Sequence, residues 1–265
     1  MKVSACTKRP ALVSCRLNDF QYQVDPYIGC EHYCYYCYVL NQAETDWTRD
    51  IWIHADIAAQ LTGELENIPP QTIYMGYYSD PYQPCEADYR QTRKVLEVLQ
   101  ANGFSASILT KSDLVLRDID ILKEMSDPRV SVSVAFDDNR ERKLFEAQTI
   151  DTERRIEALR QLKEAGVRTG ALVCPVIPYI TDAIALIGKL QPHTDNPIWI
   201  YGLSITDPQG SNWRNTRQIL SRHFPDLIER IEPAIFARDH PYWAALRKNL
   251  EILKKDRHMP LNIHV

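Results

Sequence analysis

The sequence lacks the features that mark several classes of protein. Its 265 residues include 9 glycines and 16 prolines, too few for a fibrous or low-complexity chain, and no repeat or Ser/Gly-rich linker divides it. The longest apolar stretch, residues 171–180, is about ten residues long and contains prolines, so it is too short to span a bilayer. The first residues show no apolar segment of a secretory signal. We therefore expect a soluble, cytoplasmic protein with no membrane partner.

Strong charge of one sign is also missing. The chain has 31 basic and 35 acidic residues, a formal net charge of −4, so no overall positive field indicates a nucleic-acid partner. The seven cysteines are an odd number, and three of them fall within eight residues. A secreted disulfide scaffold fits none of these facts. The cysteines therefore indicate a reducing compartment and, where they cluster, a metal.

Short apolar runs rich in β-branched and aromatic residues alternate with amphipathic segments along the chain. The predicted strands are 22–28, 72–77, 106–110, 130–136, 168–176 and 198–203. The predicted helices between them are 57–66, 91–101, 113–125, 152–165 and 182–189. A strand followed by a helix, about six times over, predicts parallel strands joined by right-handed crossovers. The fold class is therefore α/β, either a barrel, complete or open, or a doubly wound sheet.

After residue 202 the pattern predicts helices only, over 212–223, 225–231 and 241–254. We interpret this tail as a helical cap rather than an independent domain. The predicted organisation is an N-terminal extension over 1–20, an α/β core over 21–205 and a C-terminal helical cap over 206–265, within one domain. In such folds ligands gather at the carboxyl ends of the strands.

Cys30, Cys34 and Cys37 directly follow the first predicted strand. Soft thiolates select zinc, copper(I) or an iron–sulfur cluster. Structural zinc usually draws four ligands in two pairs, whereas this sequence has one Cys-x2-Cys and no His-x3–5-His pair. His32 could be a fourth ligand, but it lies between two of the cysteines with little freedom to reach the metal. The spacing therefore favours an iron–sulfur cluster over zinc, with one iron left without a protein ligand.

The stretch over 29–38, GCEHYCYYCY, resembles the cysteine motif of the radical S-adenosylmethionine (SAM) superfamily. The resemblance implies a [4Fe-4S] cluster whose fourth iron binds the amino and carboxylate groups of SAM. It also implies reductive cleavage of SAM to a 5′-deoxyadenosyl radical, with an electron donor such as flavodoxin or ferredoxin as partner. The expected fold is then a partial (β/α)6 TIM-type barrel with a C-terminal helical extension.

Further motifs resemble the branch related to spore photoproduct lyase, a radical enzyme that splits a thymine dimer in DNA. They are GYYSDPYQPCE at 76–86, LTKS at 109–112 and VSVSV at 130–134. The resemblance implies that Ser79 bonds the amino group of SAM, Lys111 pairs with its carboxylate and Ser133 bonds the same methionyl moiety. A lysine just before the predicted helix start at Asp113 is unfavourable for the helix dipole, which independently favours a ligand role for Lys111.

Tyr36 and Tyr38 flank the third cysteine, where the lyase carries its relay tyrosines. The resemblance therefore assigns both to catalysis, and Tyr36 to the cofactor as well. The sequence departs from the lyase at the cysteine that donates a hydrogen atom, because Tyr77 stands at that position. Cys85, a few residues further on, is the other candidate donor. The initiating radical step is expected, whereas repair of a thymine dimer does not follow.

Three functions stay open at this point. The first is a radical enzyme acting on nucleic acid, such as a lyase or repair enzyme, which Arg140, Arg142 and Lys143 after the fourth strand would support. The second is radical modification of a peptide, a protein or a small metabolite, which the acidic balance permits. The third is a non-enzymatic iron–sulfur or zinc protein, against which the set of SAM-binding residues argues.

Overall fold

The strands of the protein form a large sheet and a small one. In a computed structural model, which describes residues 1–6 and 9–265, the strands are β1 (Lys2–Cys6), β2 (Leu12–Ser14), β3 (Tyr22–Val24), β4 (Tyr27–Ile28), β5 (Asp50–His54), β6 (Thr72–Met75), β7 (Ser105–Thr110), β8 (Arg129–Val134), β9 (Arg168–Val176), β10 (Ile198–Gly202) and β11 (Leu261–His264). The helices are α1 (Ile57–Leu65), α2 (Glu86–Tyr89), α3 (Gln91–Ala101), α4 (Ile119–Leu122), α5 (Asn139–Phe145), α6 (Thr152–Glu164), α7 (Ala183–Leu190), α8 (Ser211–His223), α9 (Ile228–Phe236) and α10 (Pro241–Asp256).

The large sheet has eight strands in the order β11-β10-β9-β8-β7-β6-β3-β2. β2 runs antiparallel to β3, and the other neighbouring strands are parallel. The strands from β3 to β10 in this sheet correspond to the six that the sequence predicts. The sheet stays open between its edge strands, β2 and β11, as a partial barrel requires. None of the helices that the structure describes is both long and apolar enough to cross a membrane.

The end of the chain corrects one prediction. β11 pairs in parallel with β10, from Leu261 opposite Ile198 to His264 opposite Tyr201. The segment after residue 202 therefore contributes a seventh parallel strand in addition to the cap helices α8, α9 and α10. A four-residue strand that contains an asparagine and a histidine carries no strand pattern of its own, because its conformation is set by pairing with the sheet edge.

The first residues of the chain are built into both sheets. β1 pairs in parallel with β5, and β4 pairs antiparallel with β5, which makes the small sheet. β2 forms the edge of the large sheet. The predicted strand over 22–28 is divided between the two sheets, because Asp25 and Pro26 separate β3 from β4 and proline has no N–H for a sheet ladder.

The predicted helix over 113–125 is also interrupted. Its first part is a 3-10 segment over Asp113–Asp118, capped by the side chain of Ser112, and α4 follows. The fully buried Asp118 carboxylate accepts hydrogen bonds from Arg93 at 2.9 Å and from Tyr82 at 3.1 Å. We infer that these bonds hold the chain in the tighter turn.

The two faces of the large sheet differ in polarity. In β8, Val130, Val132 and Val134 are fully buried in the core beneath the helices. Because side chains alternate along a strand, Ser131 and Ser133 lie on the other face, the inside of the open barrel. The polar ends of the parallel strands meet there, and they position the candidate site.

Candidate active site

The loop that carries the three cysteines begins at a glycine that a larger residue would not fit. Gly29 has φ +94°, and a Cβ there would lie 2.8 Å from Thr45 Oγ1. Further along, Cys37 N donates to Cys34 O at 2.9 Å, which closes a turn. Cys30 and Cys34 are buried, and Cys37 is half-buried. The three thiols are therefore held on one ordered loop after β4.

A buried glutamine ties this loop to the segment after β6. Gln83 is fully buried; its Nε2 donates to Gly29 O at 3.0 Å, and its Oε1 accepts from Glu31 N at 2.8 Å. The Glu31 carboxylate in turn accepts from Cys85 N at 2.5 Å. Gln83 thus satisfies two backbone groups on either side of Cys30 and sets the position of the first cysteine.

The thiols fit an iron–sulfur cluster by their chemistry and surroundings. Burial raises the pKa of Cys30, Cys34 and Cys37, so a bound metal must supply the charge that keeps them as thiolates. Val39 and Trp47 pack beside Cys30 and supply an apolar wall. No three His, Cys, Asp or Glu side chains in the described residues converge on a single metal ion. A cubane cluster instead takes each cysteine at a separate corner.

His32 lies inside the cysteine loop and is 3% exposed. Its Nδ1 lies 3.6 Å from Asp80 Oδ2, and within the described part of the chain it has no hydrogen-bond partner. Burial lowers the pKa of His32, which keeps the imidazole neutral. Buried polar atoms are normally paired, so this nitrogen is one that a group bound beside the loop would satisfy.

The loop after β6 is tied to the end of β7. It starts at Gly76, where φ is +107° and a Cβ would collide with Leu109 O. The Asp80 carboxylate accepts from Thr110 Oγ1 and from Lys111 N, each at 2.7 Å. Asp80 therefore has a structural part and fixes the backbone at Lys111.

Ser79 is 5% exposed and lies between this loop and the strand before the cysteines. Its Oγ donates to Tyr27 O at 2.9 Å, and its backbone N donates to Asp25 Oδ1 at 3.2 Å. Burial raises the pKa of Asp25, although hydrogen bonds from the backbone N–H groups of Tyr78 and Ser79 act to lower it. Since the Ser79 hydroxyl proton is already used, its oxygen is left to accept a hydrogen bond from a ligand.

Three of the predicted cofactor residues meet around one ammonium group. Lys111 Nζ donates to Ser133 Oγ and to Glu146 Oε1, each at 2.9 Å. The Ser133 hydroxyl in turn donates a hydrogen bond to Cys174 O at 3.1 Å. Tyr36, between the last two cysteines, donates from its hydroxyl to Glu146 Oε1, and its ring centroid is 5.8 Å from Lys111 Nζ. The structure thus brings Lys111, Ser133 and Tyr36 together beside the cysteine loop.

The sequence analysis missed two residues of this network. Glu146 directly follows α5 as its C-cap residue and is fully buried, and its Oε2 accepts from Arg155 of α6 at 2.6 Å. Burial alone would raise the pKa of Glu146, but the charges of Arg155 and Lys111 outweigh it and hold this pKa well below its usual range. A signal for Arg155 was present, because it shares the buried stripe of α6 with Leu159 and Leu162 at helical spacing.

The basic residues after β8 are not a shared cationic surface. Arg140 is exposed but forms an ion pair with Asp138 at 2.5 Å. Both residues lie at the start of α5. Arg142 is 5% exposed and donates to the carbonyls of Glu146 and Thr149 at 3.0 and 2.8 Å. The expectation that Arg140, Arg142 and Lys143 would together support nucleic-acid binding is therefore wrong for Arg142, which packs inward.

The remaining candidate catalytic residues fall into two places. The Tyr38 hydroxyl donates to Tyr77 O at 2.5 Å, and the two rings lie 6.0 Å apart. Tyr38 is 46% exposed. Cys85 is buried in an apolar cluster with Tyr27 and Ile51, against the small sheet. The structure thus joins Tyr38 to Tyr77 and places Cys85 apart from that pair, next to the Glu31 carboxylate of the cysteine loop.

Aromatic side chains line the inside of the barrel at β10 and β11. Trp199 pairs with Leu172, which pairs with Ser133, so these side chains share one face of the sheet. The rings of Trp199, Tyr201 and His264 are parallel within 11°, with centroids 4.8 to 6.1 Å apart. They are not fully buried, so a stack of aromatic rings lies on the same face of the sheet as Ser133.

The profile of the radical SAM superfamily matches residues 24–186, which include the cysteine loop and the ends of β6, β7 and β8. The chain belongs to the radical SAM superfamily. Membership implies an enzyme that uses a [4Fe-4S] cluster and SAM and that needs a reductant. The family predicted from the cysteine loop is thereby confirmed.

Similar proteins lie in distant organisms. An uncharacterized protein of Methanocaldococcus jannaschii is 31% identical over 224 residues, which cover 82% of this chain and 81% of that protein. An uncharacterized protein of Mycobacterium bovis is 29% identical over 227 residues, which cover 80% of this chain and 66% of that protein.

Among solved structures, a spore photoproduct lyase variant matches with a TM-score of 0.63 and 18% identity over 83% of this chain. Another lyase variant, with bound AdoMet and dinucleoside spore photoproduct, gives a TM-score of 0.59 and 18% identity over the same share. SuiB of Streptococcus suis, bound to S-adenosylmethionine, gives 0.55 and 11% identity over 91% of this chain. The chain spans 65% of the lyase and 45% of SuiB. At these identities the likeness is one of fold, and it confirms the partial TIM-type barrel of this radical SAM protein.

Proposed function

We propose that this protein is a radical SAM enzyme in which Cys30, Cys34 and Cys37 bind the cluster beside the methionyl end of SAM. The observation that carries the proposal is the Lys111 ammonium, which is held at 2.9 Å from Ser133 next to the cysteine loop. A purely structural metal site needs no such cation. When bound, the cluster supplies the electron that cleaves SAM to a 5′-deoxyadenosyl radical, which abstracts a hydrogen atom from the substrate.

The part of the protein is to bind and orient SAM and to keep water away. Lys111 can donate a charge-assisted hydrogen bond to the SAM carboxylate. The Ser79 hydroxyl donates its hydrogen bond to Tyr27 O, so its oxygen can accept a hydrogen bond from the SAM amino group. Ser133 acts chiefly on Lys111, because its hydroxyl already accepts from Nζ and donates to a carbonyl. Tyr36 is 8% exposed and closes the site beside the cysteines.

For hydrogen-atom transfer, we propose Tyr38 and Tyr77 ahead of Cys85. The hydrogen bond from Tyr38 to Tyr77 O supports a pair at the edge of the cysteine loop. Cys85 packs on Tyr27 and Ile51, and burial and the Glu31 carboxylate raise the pKa of its thiol, so it is the second candidate donor. Tyr36 differs from Tyr38 because its hydroxyl is committed to Glu146.

For the substrate, we propose a nucleobase or a group of similar shape, as in a lyase or repair reaction on nucleic acid. The parallel rings of Trp199, Tyr201 and His264 support this class, because planar bases stack on aromatic side chains. The net charge of −4 and the inward Arg142 support the alternative, a peptide or small metabolite. We place the enzyme in a reducing cytoplasm, with flavodoxin or ferredoxin as electron donor.

The experiment uses protein purified without air. We expect about four irons per chain and 5′-deoxyadenosine when SAM and a reductant are added. Cys34→Ala should lose both, because two thiolates cannot hold the cubane. Cys6→Ala, which changes a half-buried cysteine of β1, is the matched control and should keep both. A colourless, zinc-loaded protein that leaves SAM intact would instead establish the non-enzymatic alternative.

A further inference from the structure

The Lys111 ammonium has three N–H donors, of which two are already committed. One goes to Ser133 Oγ and one to Glu146 Oε1, each at 2.9 Å. The Lys111 side chain is 16% exposed, whereas that of Glu146 is completely buried. Two fixed bonds on a tetrahedral ammonium leave only one direction for the third donor.

Glu146 is itself held from several sides. Its Oε2 accepts from Arg155 at 2.6 Å and from Thr149 Oγ1 at 3.3 Å, and its Oε1 also accepts from Tyr36. Arg155 is 1% exposed and donates to Ser133 O at 2.9 Å. Glu146 therefore links the cysteine loop, the end of β7 and the end of β8 through one carboxylate.

Charges of both signs surround this carboxylate. Lys111 and Arg155 bond Glu146 directly, at 2.9 and 2.6 Å. Arg142 lies near Asp151 and Glu153 as well as Glu146. An anionic group bound at the free donor of Lys111 would gain a charge-assisted hydrogen bond from an ammonium that is already held in place.

We propose that Glu146 is a positioning residue that, together with Ser133, directs the third N–H of Lys111 toward the carboxylate of SAM. The inference rests on the proposed function, since it takes SAM as the ligand of Lys111. Glu146 then selects for a ligand that carries a carboxylate. It acts through Lys111 and does not contact the ligand.

The test compares the affinity of cluster-loaded protein for SAM and for decarboxylated SAM, measured by equilibrium dialysis without air. Glu146→Gln keeps the shape of the side chain but removes the charge that holds the ammonium. We expect the preference for SAM over the decarboxylated compound to fall about tenfold, the size of one charge-assisted hydrogen bond. Affinity for the decarboxylated compound should change little, because that compound has no group for Lys111 to bind.

Glu86→Gln is the matched control. Glu86 is also completely buried and accepts from Tyr27 and from Arg117, the latter at 2.5 Å, so its loss perturbs a similar network. Its variant should keep the wild-type preference. Lys111→Met should lower the preference at least as far as Glu146→Gln does, and adding Glu146→Gln to it should cause no further change, because Glu146 acts through Lys111.

Ser133→Ala provides a second test in case Glu146→Gln retains too little iron. It removes the other group that holds Lys111 and should also lower the preference for SAM. An unchanged preference in either variant, or an equal loss of affinity for both compounds, would overturn the role of Glu146. A wild-type protein that carries the cluster but binds no SAM would overturn the proposed function and this inference with it.

Discussion

Replacement of Gln83 by leucine tests whether the cysteine loop depends on one buried side chain. Gln83 is fully buried and bonds Gly29 O at 3.0 Å and Glu31 N at 2.8 Å. Leucine has a similar volume but neither donor nor acceptor, so both backbone groups would lose their partner. Each unpaired buried group costs about 1–3 kcal/mol, so for the two groups we expect a loss of roughly 2–6 kcal/mol in the free energy of unfolding.

A loss of this size is measurable by thermal unfolding. For a chain of this length about 2–4 °C of melting temperature is lost per kcal/mol, so the midpoint should fall by roughly 4–24 °C. The variant should also lose iron to a chelator faster than the wild type, because Gly29 and Glu31 flank Cys30. Both quantities are compared on protein reconstituted in the same way.

Gln91→Leu is the matched control. Gln91 is 3% exposed, and in the described residues its Oε1 has no hydrogen-bond partner. The same substitution there removes no bond made by that oxygen, so stability should stay the same or rise slightly. If Gln83→Leu unfolds at the same temperature as Gln91→Leu and keeps its iron equally well, then Gln83 does not hold the cysteine loop and our reasoning is refuted.

Three further predictions follow from the site. Lys111→Met should keep the wild-type iron content and weaken SAM binding by about tenfold or more, measured by dialysis; loss of the iron would show a structural role. Because the pKa of Glu146 is held below its ordinary value of 4.5, its ionisation stabilises the fold above that pH and the contribution is lost as pH falls toward the depressed value. The gap in urea midpoint between wild type and Glu146→Gln should therefore narrow from pH 6 to pH 4, and a widening gap would contradict the assignment. Trp199→Leu should weaken binding of a single-stranded oligothymidylate by about 1–3 kcal/mol, followed by fluorescence anisotropy of a labelled strand, and equal affinity would remove the support for a nucleobase.

Local pattern was sufficient for the central strands and several helices. β9 has the predicted bounds, 168–176, and α3 has the predicted bounds, 91–101. The glycines after α3 and α6, Gly103 and Gly166, have the positive φ expected of helix ends. These elements are long or regularly apolar, so their own side chains specify them.

Short edge strands could not be predicted in the same way. β2 has three residues and β11 has four, and neither has a continuous apolar run. β2 depends on hydrogen bonds to β3, and β11 depends on hydrogen bonds to β10. β10 lies far from β11 in the sequence. Only pairing in the folded sheet gives such segments a strand conformation.

The sequence points to the candidate site through short motifs. The spacing of Cys30, Cys34 and Cys37 predicts the cluster, and the resemblance to radical SAM enzymes implies the roles of Lys111 and Ser133. Each motif lies within one segment of the chain, so a linear sequence expresses it.

The surroundings of the Lys111 ammonium depend on folding. Glu146 looks like an ordinary charged residue in the sequence and Arg155 shares a helix stripe with two leucines, yet both are buried and bonded to each other at 2.6 Å. Glu146 accepts hydrogen bonds from Lys111, which is 35 positions away in the sequence, and from Tyr36, which is 110 positions away. The physical reason is that a buried charge is stable only beside partners which folding brings from distant segments, and no pattern within one segment specifies them.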